Sequence, residues 1–154
     1  MDDPFSVERP VDLDETALAT RFDSLVRSLD EAFERQCSVD AGFSNIQDAS
    51  FYGTIRVPSE ATVSGAPIVI RVSNYGVLAV YDLDLFGAYD AAEREVLFDG
   101  SDRSRVEAAL LETGHDVVPT DLLWNTYDGT NGYWQRHFPN ERPPTWFTRF
   151  FDWV

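Results

Sequence analysis

The sequence predicts an α+β fold in which an antiparallel sheet of about four to six strands is packed on one face by two main helices. Three observations predict it: an apolar stripe at helical spacing near the N-terminus, strand-like apolar runs between residues 50 and 81, and a second helical segment beyond residue 100. A length of 154 residues suits one domain, 1–154. Its 44% apolar and 14% aromatic content is too high for a disordered chain and sufficient for a packed interior.

Residues 1–13 read as an acidic, proline-containing lead-in. Beyond them Leu18, Phe22, Leu25, Val26, Leu29 and Phe33 recur at spacings of three and four, which predicts a helix over 14–36 with one apolar face. Asp14 suits its N-cap, Glu15 its first turn and Arg35 its last, because the helix dipole favours anions at the start and cations at the end. Phe51 to Val57 has the strand period and stops at Pro58. Ile68 to Val72 and Val77 to Tyr81 then form an antiparallel hairpin around Ser73, Asn74, Tyr75 and Gly76, where Asn and Gly tolerate positive φ. A helix over 102–113 follows, capped by Ser101, with Val106, Ala109, Leu110 and Thr113 on one face and Gly114 just past its end. Asp116 to Val118 reads as a short strand stopped by Pro119.

The aromatic-rich C-terminal segment, 124–154, carries ten of the 21 aromatic residues, so it must dock. Residues 128–144, with Gly129, Gly132, Pro139, Pro143 and Pro144, read as a structured loop. The final ten residues have both helical spacing (Trp146, Phe150, Trp153) and high β-propensity, and we read them as a strand.

Charge narrows the function. The net charge is −15, with 27 acids against twelve Arg and no Lys, which disfavours direct binding of nucleic-acid phosphates or of a membrane surface. Residues 1–48 alone hold twelve acids against four Arg. One cysteine, Cys37, excludes an internal disulfide and is read as a packing residue, which fits a reducing cytoplasm. The acidic start lacks the pattern of a signal peptide.

No motif names a reaction. His115 and His137 have no partner at metal-ligand helical spacing, and neither a G-x-S-x-G elbow nor a phosphate-binding glycine loop occurs. His115, just past a helix end, is read as a cap on the last carbonyls. Glu93, Glu95, Glu107 and Glu112 fall on helix surfaces, where solvated charge is the ordinary role. The sharpest catalytic alternative is Asp82 and Asp84: at i and i+2 on a strand they would share a side and could hold a divalent metal in a small enzyme. The competing reading makes both aspartates solvent-facing positions on a half-buried strand. Arg149 and Asp152, three apart among aromatics, suit a partly buried ion pair or hydrogen bonds that fix the terminal segment.

The stretch Val117, Val118, Pro119, Thr120, Asp121, Leu122, Leu123, then Tyr127, Asp128, Gly129, and finally Thr145 to Trp153 is similar to small bacterial proteins. These end in a T-W-[WF]-x-R-[FY]-F-D-[YW]-[LV] pattern after a V-P-x-x-x-L…Y-x-G stretch, and immunity-like proteins are among them. The resemblance implies a small cytoplasmic protein without a cofactor that neutralises a toxin, acidic because many toxins are basic nucleases. The expected function is therefore non-enzymatic binding of a protein partner, a basic toxin. The expected contact residues are Asp23, Asp30, Glu31 and Glu34 on the first helix, with Tyr133, Trp134 and Arg136 in the aromatic loop. An acidic mimic of DNA is a variant of the same idea.

Overall fold

Nineteen residues of the first helical stripe form the longest element, and the rest of the chain is arranged around the sheet that this helix covers. The computed structural model describes residues 6–87 and 89–153; of the lead-in, residues 1–5 lie outside the described part, as does Val154. Among the described residues the order is α1 (Glu15–Phe33), β1 (Ser38–Ala41), β2 (Phe51–Val57), a 3-10 turn (Ser59–Ala61), β3 (Ile68–Ser73) and β4 (Leu78–Asp82). There follow α2 (Ala91–Leu97), α3 (Gly100–Glu112), β5 (Asp116–Val117), α4 (Thr120–Leu123), α5 (Tyr133–His137) and α6 (Trp146–Phe151). The strands lie in the order β1-β2-β3-β4-β5, antiparallel except for β4 and β5, which run parallel.

α1 forms for the reasons its sequence gives. The Asp14 side chain accepts the N–H of Ala17 at 2.9 Å, and Leu18, Phe22, Leu25, Leu29 and Phe33 are all buried. Each such side chain contributes about 1.5–3 kcal/mol by leaving water. The helix is shorter than its expected span: Glu34 turns left-handed at φ 51°, so Arg35 falls outside the last turn. β2 alternates, placing Ile55 and Val57 under α1. At Gly53 the Phe22 ring of α1 packs directly on the strand backbone. A Cβ there would sit 2.6 Å from the Ala41 Cβ and 2.7 Å from the Phe22 ring.

The hairpin forms in the expected place, with Ile70 opposite Tyr81 and Val72 opposite Ala79. Only Gly76 takes positive φ (68°) in its turn. Asn74 instead spends its side-chain amide on the carbonyls of Ala49 and Glu8. α3 begins two residues earlier than expected, and its cap is Asp99, whose carboxylate accepts the N–H groups of Ser101 and Asp102. Ser101 lies inside the helix. Gly114 adopts φ 73° beyond the end of α3, as its position implied.

The sheet is covered on both faces. α1 and α3 pack on one, against Ile55, Ile68, Ile70 and Val72. On the other, Val69 and Val80 meet Tyr75, Leu85, Leu123, Phe147, Phe150 and Phe151, a second core supplied largely by the C-terminal segment. That segment ends in a helix and not in the expected strand. Thr145 caps α6 by accepting the N–H of Thr148 at 3.2 Å, and Phe147, Phe150 and Phe151 are spaced to bury one helical face. The loop over 128–144 contains the short helix α5.

Two buried arginines hold both chain ends to this second face. Arg71 donates to the Phe151 carbonyl at 2.6 Å and to the Thr54 hydroxyl at 3.2 Å, beneath the rings of Phe51 and Phe86. Burial pushes its guanidinium down to about 10, with the Asp152 carboxylate acting in the opposite direction. Arg149 donates to the Val7 carbonyl at 3.2 Å and stacks on Tyr75, 4.1 Å from its ring centre. Of the two readings its spacing allowed, an ion pair with Asp152 or hydrogen bonds that fix the terminal segment, the structure has the second; the Asp152 carboxylate lies in the field of Arg71. The described part of the lead-in is thus docked: the carbonyls of Ser6, Val7 and Glu8 accept from Tyr75, Asn131, Arg149 and Asn74.

Candidate functional site

A change of strand direction creates a hollow. β4 and β5 are parallel, so the chain between them must cross over, through α2 and α3, and the segments leaving the two strands diverge at their carboxyl ends. A cleft of about 410 Å3 lies there. Its walls are Tyr81 and Asp82 at the end of β4, Arg94 and Glu95 of α2, Arg103 and Glu107 of α3, and Thr120 and Asp121 of α4.

The polar groups of the cleft hold one another. The Asp82 carboxylate is buried, accepts the N–H of Leu83 at 2.8 Å and pairs with Arg94 at 2.8 Å. Arg94 extends to the exposed Asp121 at 3.4 Å, and its guanidinium is held above its ordinary range chiefly by the hydrogen bond to Asp82. The Tyr81 hydroxyl donates to Glu107, and burial together with that carboxylate pushes the phenol upward, so it stays protonated. Phe98 backs both groups: Tyr81 meets it edge-on at 5.6 Å, and the Arg103 guanidinium lies 4.7 Å over its ring. Thr120 fixes α4 to this wall by donating to the Tyr81 carbonyl at 3.2 Å. Glu95, Glu107 and Asp121 line the cleft and are exposed, so they add negative charge and hydrogen-bond acceptors to it.

Asp82 and Asp84 are not placed as a metal pair. β4 stops at Asp82, so the two do not share a strand face. Asp82 is occupied by Arg94 and Leu83, and Asp84 accepts the N–H of Phe86 at 3.0 Å in the following turn. Asp82 is also buried, which overturns its reading as a solvent-facing position.

The residues expected to bind a partner do not form one patch. Asp23 and Glu31 are exposed on α1 and Glu34 just past its end, but Arg27 is exposed among them. Asp30 has a structural task, accepting the Cys37 N–H at 2.7 Å. Burial and Asp30 raise the Cys37 thiol to about 12, which makes it a poor nucleophile and fits a packing role. Tyr133 and Trp134 are half-buried, Trp134 edge-on to Tyr127 at 5.9 Å, so they act in part as a lid; Arg136 is exposed. His115 does not cap α3 through its ring. Its backbone N–H does so, donating to the Leu110 carbonyl at 2.9 Å.

The sequence reading missed an exposed apolar surface beside the cleft. Phe86 is 62% exposed, Leu122 57% and Trp124 46%. Trp124 stacks on Phe147 at 4.9 Å, and Phe86 meets the same ring edge-on at 6.1 Å. The available signal was the pair Leu122 and Leu123, since a short surface helix buries only one of two adjacent leucines; here it is Leu123. Compared with family models, with curated proteins and with solved structures, the chain matches none.

Proposed function

We propose that this chain is a non-enzymatic, cytoplasmic binding protein that neutralises a basic protein partner, as an immunity protein does a toxin. One observation carries the reading. The buried charged side chains among the described residues are Arg71, Arg149, Asp82 and Asp102, two of each sign, so the described interior hides none of the −15 excess. A small protein with that field attracts and orients a basic partner before contact. The exposed aromatic and aliphatic side chains beside the cleft supply surface that is buried once contact is made. Among the described residues no helix is long and apolar enough to cross a membrane.

The test is to capture the partner from the source cells, purify it and assay its activity with and without this chain. A one-to-one complex should form, abolish the partner's activity and associate more slowly as salt rises from about 50 to 500 mM, where the screening length shrinks several-fold. A partner that stays fully active when bound, or an association rate that ignores salt, overturns the reading.

A further inference from the structure

The partner-binding surface is the α4 ridge with the cleft beside it, and the first helix is not its centre; we infer that this ridge takes an arginine of a basic protein segment into the cleft. The inference rests on the proposed function and adds where the partner sits and what it inserts.

α4 separates two features that fit one ligand. Asp121 lines the cleft, and the next exposed side chains along the chain, Leu122 and Trp124, lie outside its lining. Phe86, four residues beyond Asp82, reaches the same patch by packing with Trp124 on Phe147. Charge says which occupant suits it. Asp82, Glu95, Glu107 and Asp121 outnumber Arg94 and Arg103 in the cleft wall, and Arg94 is already committed to Asp82 and Asp121. A guanidinium entering there meets the Glu107 and Asp121 carboxylates and the Tyr81 ring, the Phe98 ring behind it being covered by Arg103, a setting that pairs charge with planar stacking. Apolar side chains flanking that arginine cover Leu122, Trp124 and Phe86. An anchor in a pocket, surrounded by contacts that exclude water, is the arrangement in which Arg and Trp contribute most to binding. The face of α1 offers no such anchor, because its acids are interspersed with Arg21 and Arg27 and the hollow beside it is lined by polar side chains.

The probe is a short synthetic peptide alternating Arg and Leu, titrated into the full isotope-labelled chain at low salt, with a Glu-and-Leu peptide as control. Amide shifts should concentrate at Tyr81, Glu107, Thr120 to Trp124 and Phe86. Glu107→Gln with Asp121→Asn should weaken the Arg peptide about tenfold, and Phe86→Ser with Leu122→Ser should do so separately. All four positions are exposed, and folding of each variant is checked by its amide spectrum. Arg-peptide shifts confined to α1 overturn this inference and leave the charge-steered function standing. Binding of neither peptide overturns both, and equal binding of the two peptides overturns the charge argument common to both.

Discussion

His115 shows how much one side chain's surroundings decide. Its Nδ1 lies 2.9 Å from the Thr113 hydroxyl, whose single proton is given to the Ala109 carbonyl at 2.8 Å. Nδ1 must therefore carry the hydrogen, leaving Nε2 as a buried lone pair without a donor. Protonating Nε2 would bury a charge with nothing to accept its N–H, and burial, aided by the Arg21 charge, holds the imidazole down to about 4. The sign follows. In the unfolded chain this histidine binds its proton near pH 6.5, so its contribution is complete above that pH and is lost as pH falls through 6.5 toward 4. The loss is about 3 kcal/mol. Urea unfolding at intervals from pH 7 to pH 4 should show this slope in the native chain and a shallower one in His115→Phe. Parallel slopes would mean the ring protonates without penalty. The sequence placed His115 at a helix end as a cap on the last carbonyls, and its N–H is one; that the ring instead meets Thr113 was not legible, because spacing cannot tell a ring from the N–H on the same residue.

For elements, local signals fix where a helix or strand lies better than which residue begins it. Both Asp99 and Ser101 are good N-cap types, and nothing in their spacing favours one; the choice falls to Asp99 because its carboxylate reaches two N–H groups at once. Asp99→Ala should cost about 1 kcal/mol and Ser101→Ala only a few tenths, measured by thermal or urea unfolding. The reverse order would restore the sequence's choice. α6 was misread for a different reason. Its residues are strand formers by propensity, yet a segment this short takes its conformation from what it buries, and the i, i+3, i+4 spacing of Phe147, Phe150 and Phe151 matches the sheet's second face only as a helix. β2 was legible from its two-residue period and its stop at Pro58, and β3 and β4 as β-branched apolar runs on either side of a turn that ends in Gly76. β1, four largely exposed residues on the sheet edge, carries no such period.

Seen as a whole, the molecule is a sheet between two unlike layers. The α1 and α3 layer is periodic and could be read in advance; the C-terminal layer could be read only as aromatic and in need of a partner, since its partner is the far face of strands roughly seventy to eighty residues earlier in the chain. The candidate site was legible to the same degree. The acidity and Asp82 were visible, but the cleft depends on β5 running parallel to β4, which two residues of strand cannot announce. Because both chain ends are tied to the C-terminal layer, that layer must govern cooperativity. Removing Trp146 to Val154 strips Phe147, Phe150 and Phe151 from Val69, Val80 and Tyr75, leaves Arg71 without the Phe151 carbonyl, and frees Val7 from Arg149. A loss of this size is comparable to a small domain's whole stability of about 5–15 kcal/mol, since three buried aromatics alone are worth about 3–5 kcal/mol each. The truncated chain should therefore lose its cooperative thermal transition and its aromatic near-UV signal while retaining some helical far-UV signal from α1. A sharp transition in the truncated chain would show that the first layer folds without the second, and the tie between chain ends and cooperativity would be wrong.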